Sequence, residues 1–271
     1  MDKTPILQAP FRSLFDRNFY AAMTRENVGR GMLYLVYLAA IATLIGWLFF
    51  SNRGIPELTR FIDWAKQEVP PLTWTPEGLV MNAQSPYVMF HEEMGNVVTF
   101  DMTKFEVGLQ DLADSLVFVT STKIFVRQGT GDVRVYDLLQ PEITRPPGEL
   151  VLNIDADTIQ KFYDALKPWL HVFFILIFFP AFFVWKVLEG LLYSLIGLLI
   201  NTRRREKLPY GAILNVTFFA LTPLTIVQGL GFMALPFLDQ QPVSSLLALV
   251  LISTYLFLAI RKTEVEMPDS I

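Results

Sequence analysis

The chain has 271 residues, is 52% hydrophobic, carries a formal net charge of −4 and has a mean hydropathy of +0.40. It is too apolar for an ordinary soluble domain. The absence of cysteine excludes disulfides, thiolate metal sites and cysteine nucleophiles, and negative charge without a Lys/Arg stripe argues against nucleic-acid binding.

Residues 1–30 form a basic leader to the first apolar block. Within it Phe11, Leu14, Phe15 and Phe19 recur at helical spacing, with Arg12, Asp16 and Arg17 between them. This predicts an amphipathic helix over Pro10–Met23. It either lies on the cytoplasmic membrane surface or packs on the spans. Residues 31–50 then run without a charge, and about 20 apolar residues cross a hydrocarbon core of roughly 30 Å. This first span is not a cleavable signal: 30 residues precede it and no small-residue cleavage pattern follows Phe50.

Residues 51–168 change character. Leu58, Phe61, Ile62 and Ala65 share one helical face, and Pro70 and Pro71 end that helix. Short β-prone runs follow at Gly78–Asn82, Tyr87–Phe90, Asn96–Asp101, Leu116–Thr120, Lys123–Gln128, Val133–Leu138 and Glu149–Ile154. Gly129, Thr130, Gly131 and Asp132 form a hairpin signal, because glycine tolerates the positive φ of tight turns. Asp155 is the expected N-cap of a helix through Leu166 that runs towards Pro168 and Trp169 and into the second span. The segment is thus α+β and long enough for one core.

Three further apolar blocks follow: 170–200, broken only by Lys186 and Glu189, then 212–238 and 243–260. Between the first two lies a basic loop, 201–211, with Arg203, Arg204, Arg205 and Lys207; the tail, 261–271, opens with Arg261 and Lys262. Net charge is +2 over residues 1–50, −7 over 51–168 and +1 over 169–271. Short basic segments stay in the cytoplasm. Arg203, Arg204, Arg205 and Lys207 are therefore the topology determinants: both termini cytoplasmic, 51–168 outside. The expected fold class is an α-helical integral membrane protein with four transmembrane helices and one extracytoplasmic α+β domain between spans 1 and 2.

Candidate functional residues are few. Lys186 and Glu189, three apart, face one side of a helix near the middle of their apolar run. A charge there costs at least roughly 2.5 kcal/mol on insertion scales, so it pairs or faces a polar cavity. One reading is an ion or proton path, or a partner contact, with Asn215 and Gln228 as further polar lining. The simpler one is a self-neutralised pair near the cytoplasmic interface. Thr222-Pro223 predicts a kink, with the threonine re-satisfying a freed carbonyl: a hinge, or more simply static packing, which Gly229 and Gly231 would assist by letting helices approach. His91-Glu92-Glu93 lacks the second histidine of a zinc motif. Asp111, Asp114, Asp155 and Asp157 do not follow a calcium-loop pattern, and Ser85, Ser115 and Ser121 lack a nucleophile motif. No catalytic, cofactor or metal residue is assigned, and an enzyme is not expected.

Two stretches are familiar. Ser13-Leu14-Phe15, Phe19-Tyr20 and Gly29–Tyr34 form the first; Leu188–Gly197, Leu208-Pro209-Tyr210-Gly211 and Ala220-Leu221-Thr222-Pro223 form the second. With the order of one span, an outer domain and three spans, they resemble the bacterial membrane family catalogued as domain of unknown function 1189. The last three spans are also similar to Yip1-type membrane proteins. The resemblance implies a cytoplasmic-membrane protein of this topology and no established activity. The leading expectation is a non-enzymatic accessory or scaffold whose outer domain binds a protein or small ligand, with the lipid bilayer and a membrane or extracytoplasmic protein as partners. The alternative is a small homo-oligomeric transporter or channel.

Overall fold

The computed structural model describes residues 5–75, 77–104, 107–108, 111, 115–129, 132–139, 152–234 and 243–265. Thr130, Gly131, Asp114, Glu149–Val151, residues 235–242 and those beyond 265, all named above, lie outside them. The chain forms two units, Met1–Leu48 with Phe173–Ile271, and Phe49–Val172.

The first unit is helical. α1 (Ala9–Phe15) and α2 (Arg17–Met23) precede α3 (Val28–Phe49), and α6 (Tyr210–Ala234) and α7 (Val243–Val265) close the unit. The C-terminal part of α5 (Ala156–Asn201) also belongs here. The single amphipathic helix expected over Pro10–Met23 is two. Asp16 is extended (φ −102°, ψ 102°), and its carboxylate accepts the backbone N–H groups of Asn18 and Phe19 as the N-cap of α2. The break splits the apolar positions: Phe19 is buried, whereas Phe11 and Phe15 are exposed. The core combines Phe19 and Met23 of α2, Tyr34 and Leu35 of α3, Phe218, Phe219 and Leu224 of α6, and Ile252 and Leu256 of α7.

Close approach of α5 to α6 depends on glycine. A Cβ at Gly190 would stand 2.6 Å from the Phe218 ring, and one at Gly197 2.5 Å from Ile213. Gly229, expected to serve this way, has no described atom within 4 Å of such a Cβ.

Among the described residues, three helical stretches are long and apolar enough to cross a membrane: Val28–Glu68, Ala156–Asn201 and Tyr210–Gly229. Within α7, Ser245–Ile260 is a shorter apolar helix. A π-helical turn, Phe50–Gly54, carries α3 directly into α4 (Ile55–Glu68), and α5 passes through Pro168 unbroken.

The second unit holds two sheets. β1 (Leu72–Thr75) is central in the order β2-β1-β8, between β2 (Gly78–Met81) and β8 (Leu152–Ile154), both antiparallel to it. The other sheet runs β3 (Tyr87–His91), β4 (Gly95–Phe100), β5 (Val117–Val119), β6 (Lys123–Gln128), β7 (Asp132–Asp137), with β4 and β5 parallel. The β6–β7 hairpin forms where expected, with Gly129 at φ +77°, but Asp132, expected in the turn, already pairs opposite Gln128 as the first residue of β7. Only β1 was unforeseen. Four residues flanked by Pro71 and Pro76 are too short to display an alternation, yet Leu72 pairs with both Met81 and Ile154.

Leu72, Leu79, Met89, Phe100 and Val119 make the main core, against which Trp64 of α4 packs. The start of α5 fastens to α4 through Thr59 Oγ1 and Tyr163 OH, 2.5 Å apart, and Lys66 Nζ donating to Gln160 Oε1 at 2.5 Å. Asp155 caps α5 as expected, accepting the Thr158 N–H at 2.8 Å. Buried Asp101 Oδ1 accepts from Thr103 N (3.0 Å), Thr103 Oγ1 (2.5 Å) and Ser85 Oγ (3.2 Å). Burial pushes this carboxyl up, but the hydrogen bonds outweigh it and hold it below the ordinary carboxylate range.

Candidate functional site

The expected polar residues of the spans do not gather at one place. Lys186 and Glu189 are 1% and 8% exposed, despite their charges. Their i, i+3 spacing on α5 puts both on the side that meets α6. Lys186 Nζ donates to Glu189 Oε2 and to Gln228 Oε1, each at 2.6 Å, and Gln228 Nε2 donates to Glu189 Oε1 at 3.1 Å. The three side chains thus form a closed, electrically neutral ring, with Gln228 on its exposed side. The Phe182 ring centroid is 5.4 Å from Nζ.

The pair is self-neutralised, as one reading anticipated. Lys186 lies 15 residues before Asn201 and Gln228 lies 18 after Tyr210, about 22 and 27 Å along the helices at 1.5 Å per residue.

Asn215 is not part of the ring. It sits 13 residues before Gln228 on α6, about 20 Å away along the axis. Fully buried, it donates through Nδ2 to the Met23 carbonyl at 2.6 Å, fastening the end of α2 to α6. A Cβ on Gly31 would stand 2.5 Å from Asn215 Oδ1, so only glycine lets α3 pass there.

Thr222-Pro223 repairs itself in the anticipated way. Pro223 has no N–H for the Phe219 carbonyl, and Thr222 Oγ1 donates to that carbonyl at 2.8 Å. Thr222 has one proton, already spent, so its short hydrogen bond with Tyr34 OH must have Tyr34 as donor. The Tyr34 ring stacks on Phe219, centroids 4.4 Å apart. The proline turn of α6 is therefore clamped to α3.

The basic loop contains residues whose role sequence reasoning missed. Asn201 brackets the loop, donating from Nδ2 to the Leu208 carbonyl and accepting the Leu208 N–H, both at 3.0 Å. Arg204 turns inward, 6% exposed, with Nη1 donating to the Ile260 carbonyl of α7 at 2.7 Å and Nε to the Glu206 carbonyl at 3.0 Å. Arg203, Arg205 and Lys207 remain exposed. An arginine among arginines gives no signal of which one folds inward.

In the second unit, His91 lies edge-on to Trp64, centroids 4.9 Å apart, and its Nδ1 accepts the Glu93 N–H. Asp111 pairs with Lys104. Among the described residues, no three of His, Asp and Glu gather as metal ligands.

The chain belongs to the family described as protein of unknown function (DUF1189), whose model matches residues 8–260. Comparison with curated proteins found no match, and comparison with solved structures found none.

Proposed function

We propose that this DUF1189 protein is a non-enzymatic accessory or scaffold of the bacterial cytoplasmic membrane. In this reading α3, α5, α6 and α7 make four spans, both termini are cytoplasmic, and the outer α+β domain binds a protein or small ligand. The orientation rests on the basic segments around the spans. The observation that carries the functional reading is the closed ring of Lys186, Glu189 and Gln228, with Asn215 and Thr222 each committed elsewhere. A transport path needs polar groups in a continuous line with spare hydrogen-bonding capacity. Lys186, Glu189, Gln228 and Thr222 bond to their neighbours and hold helices together, and Asn215 ties α6 to α2 through Nδ2, its Oδ1 buried without a partner among the described residues.

The test compares Lys186→Leu, Glu189→Leu and the double variant. Removing one partner strands a buried charge, at a cost of about 3–5 kcal/mol, whereas replacing both is close to neutral. Each single variant should lose thermal stability after purification, and the double should recover most of it. Single variants of parental stability with reduced ion flux after reconstitution, not restored in the double, would establish transport instead.

A further inference from the structure

At one end of the first unit, two surfaces that lie almost 200 residues apart in sequence come together. α1 buries its small residues, Ala9 at 2% and Ser13 at 1% exposed, and turns its large apolar ones outward. Phe11 and Phe15 of α1, together with Leu7 of the 3-10 turn Ile6–Gln8 that precedes it, fall four residues apart and are 70%, 72% and 73% exposed. That is the reverse of a helix packed for water. The orientation is held by Tyr20 OH donating to the Ser13 carbonyl (2.7 Å) and Tyr255 OH to the Leu14 carbonyl (3.3 Å). Leu258 and Ala259 of α7 border the same cleft as Phe15 and Asp16. The next residue, Ile260, accepts the Arg204 bond of the basic loop. The last turns of α7 thus hold the α1 stripe and the loop at one level.

The loop supplies charge at that level. Asn201 and Arg204 fix its backbone, leaving Arg203, Arg205 and Lys207 exposed beside Glu206. Immediately before it, Leu192, Leu195 and Leu199 form an exposed apolar stripe along α5. Apolar surface gives way to cations within about one helical turn, the profile of an acyl-chain to headgroup boundary.

We infer that this end of the protein is an anionic-phospholipid anchor. Leu7, Phe11 and Phe15 insert among acyl chains, while Arg203, Arg205 and Lys207 hold the phosphates of anionic headgroups. The occupant is lipid rather than a soluble protein because the exposed apolar stripe of α5 runs directly into the cationic one. The inference rests on α5–α7 crossing a bilayer and not on the accessory role.

The test uses the full chain in nanodiscs of phosphatidylcholine alone or with about 30% phosphatidylglycerol, which gives the surface a negative potential. The anionic lipid should raise the thermal midpoint of the parent. The variant R203Q/R205Q/K207Q should match the parent in phosphatidylcholine but lose that rise. Because the chain has no cysteine, Phe11→Cys can carry a single fluorescent probe. Its emission should be quenched by acyl-brominated lipid and not by iodide. Three results overturn the inference: an unchanged rise in the triple variant, an equal rise from inorganic phosphate in phosphatidylcholine, or iodide quenching at position 11. The Lys186 and Glu189 variants report on the accessory reading independently.

Discussion

Thr222→Val offers the sharpest check on how the proline turn is held. The change keeps shape and deletes one hydroxyl, but that hydroxyl serves two groups: it donates to the Phe219 carbonyl and accepts from Tyr34. Both partners are buried. Leaving a buried polar group unpaired costs about 1–3 kcal/mol, and interhelical bonds in membranes average about 0.6 kcal/mol with a maximum near 1.7. Thr222→Val should therefore destabilise by about 2–3 kcal/mol. Tyr34→Phe should cost less, about 0.5–1.5 kcal/mol, since Thr222 keeps its own bond to Phe219. Pro223→Ala supplies an N–H four residues after Phe219, able to take the freed carbonyl. In that background Thr222→Val should cost less than in the parent, because only the Tyr34 hydroxyl is left unpaired. The assay is thermal or SDS-titrated unfolding of the purified variants in one detergent. The reasoning is refuted if Thr222→Val costs no more than Tyr34→Phe, or if Pro223→Ala leaves its cost unchanged.

Three further outcomes are expected. Glu93→Cys, on an exposed turn of the second unit, should react with an impermeant thiol reagent in cells with a permeabilised outer membrane; Thr202→Cys should react only after lysis, and the opposite pattern inverts the proposed topology. Residues 54–166 should fold alone and unfold cooperatively. The lowered folded-state pKa of Asp101 means its contribution is complete above the unfolded value near 3.9 and disappears as pH falls through the folded value. Acid scans of this fragment should accordingly show a shallower loss of stability in Asp101→Asn than in the parent.

Much of this protein is legible without coordinates because its signals are local. Length and apolarity mark α3, α5 and α6. Turn residues and alternation locate seven of the eight strands, and Asp155 announces the start of α5. A capping carboxylate, a hairpin glycine and a threonine beside a proline act within four residues of themselves, so their neighbours in sequence are their partners in space. What folding alone decides is which polar groups meet across elements. Gln228 closes on Lys186 and Glu189 while Asn215, on the same helix, bonds to Met23. Nothing in either local pattern distinguishes them; the helical rotation and the neighbours on α5 and α2 do. Tyr34 reaches Thr222 across 188 residues, β1 joins strands from both ends of the second unit, and Arg204 alone of its cluster turns inward to α7. In each case the energy lies in desolvating a polar group beside one particular partner, and that pairing exists only once the elements have packed.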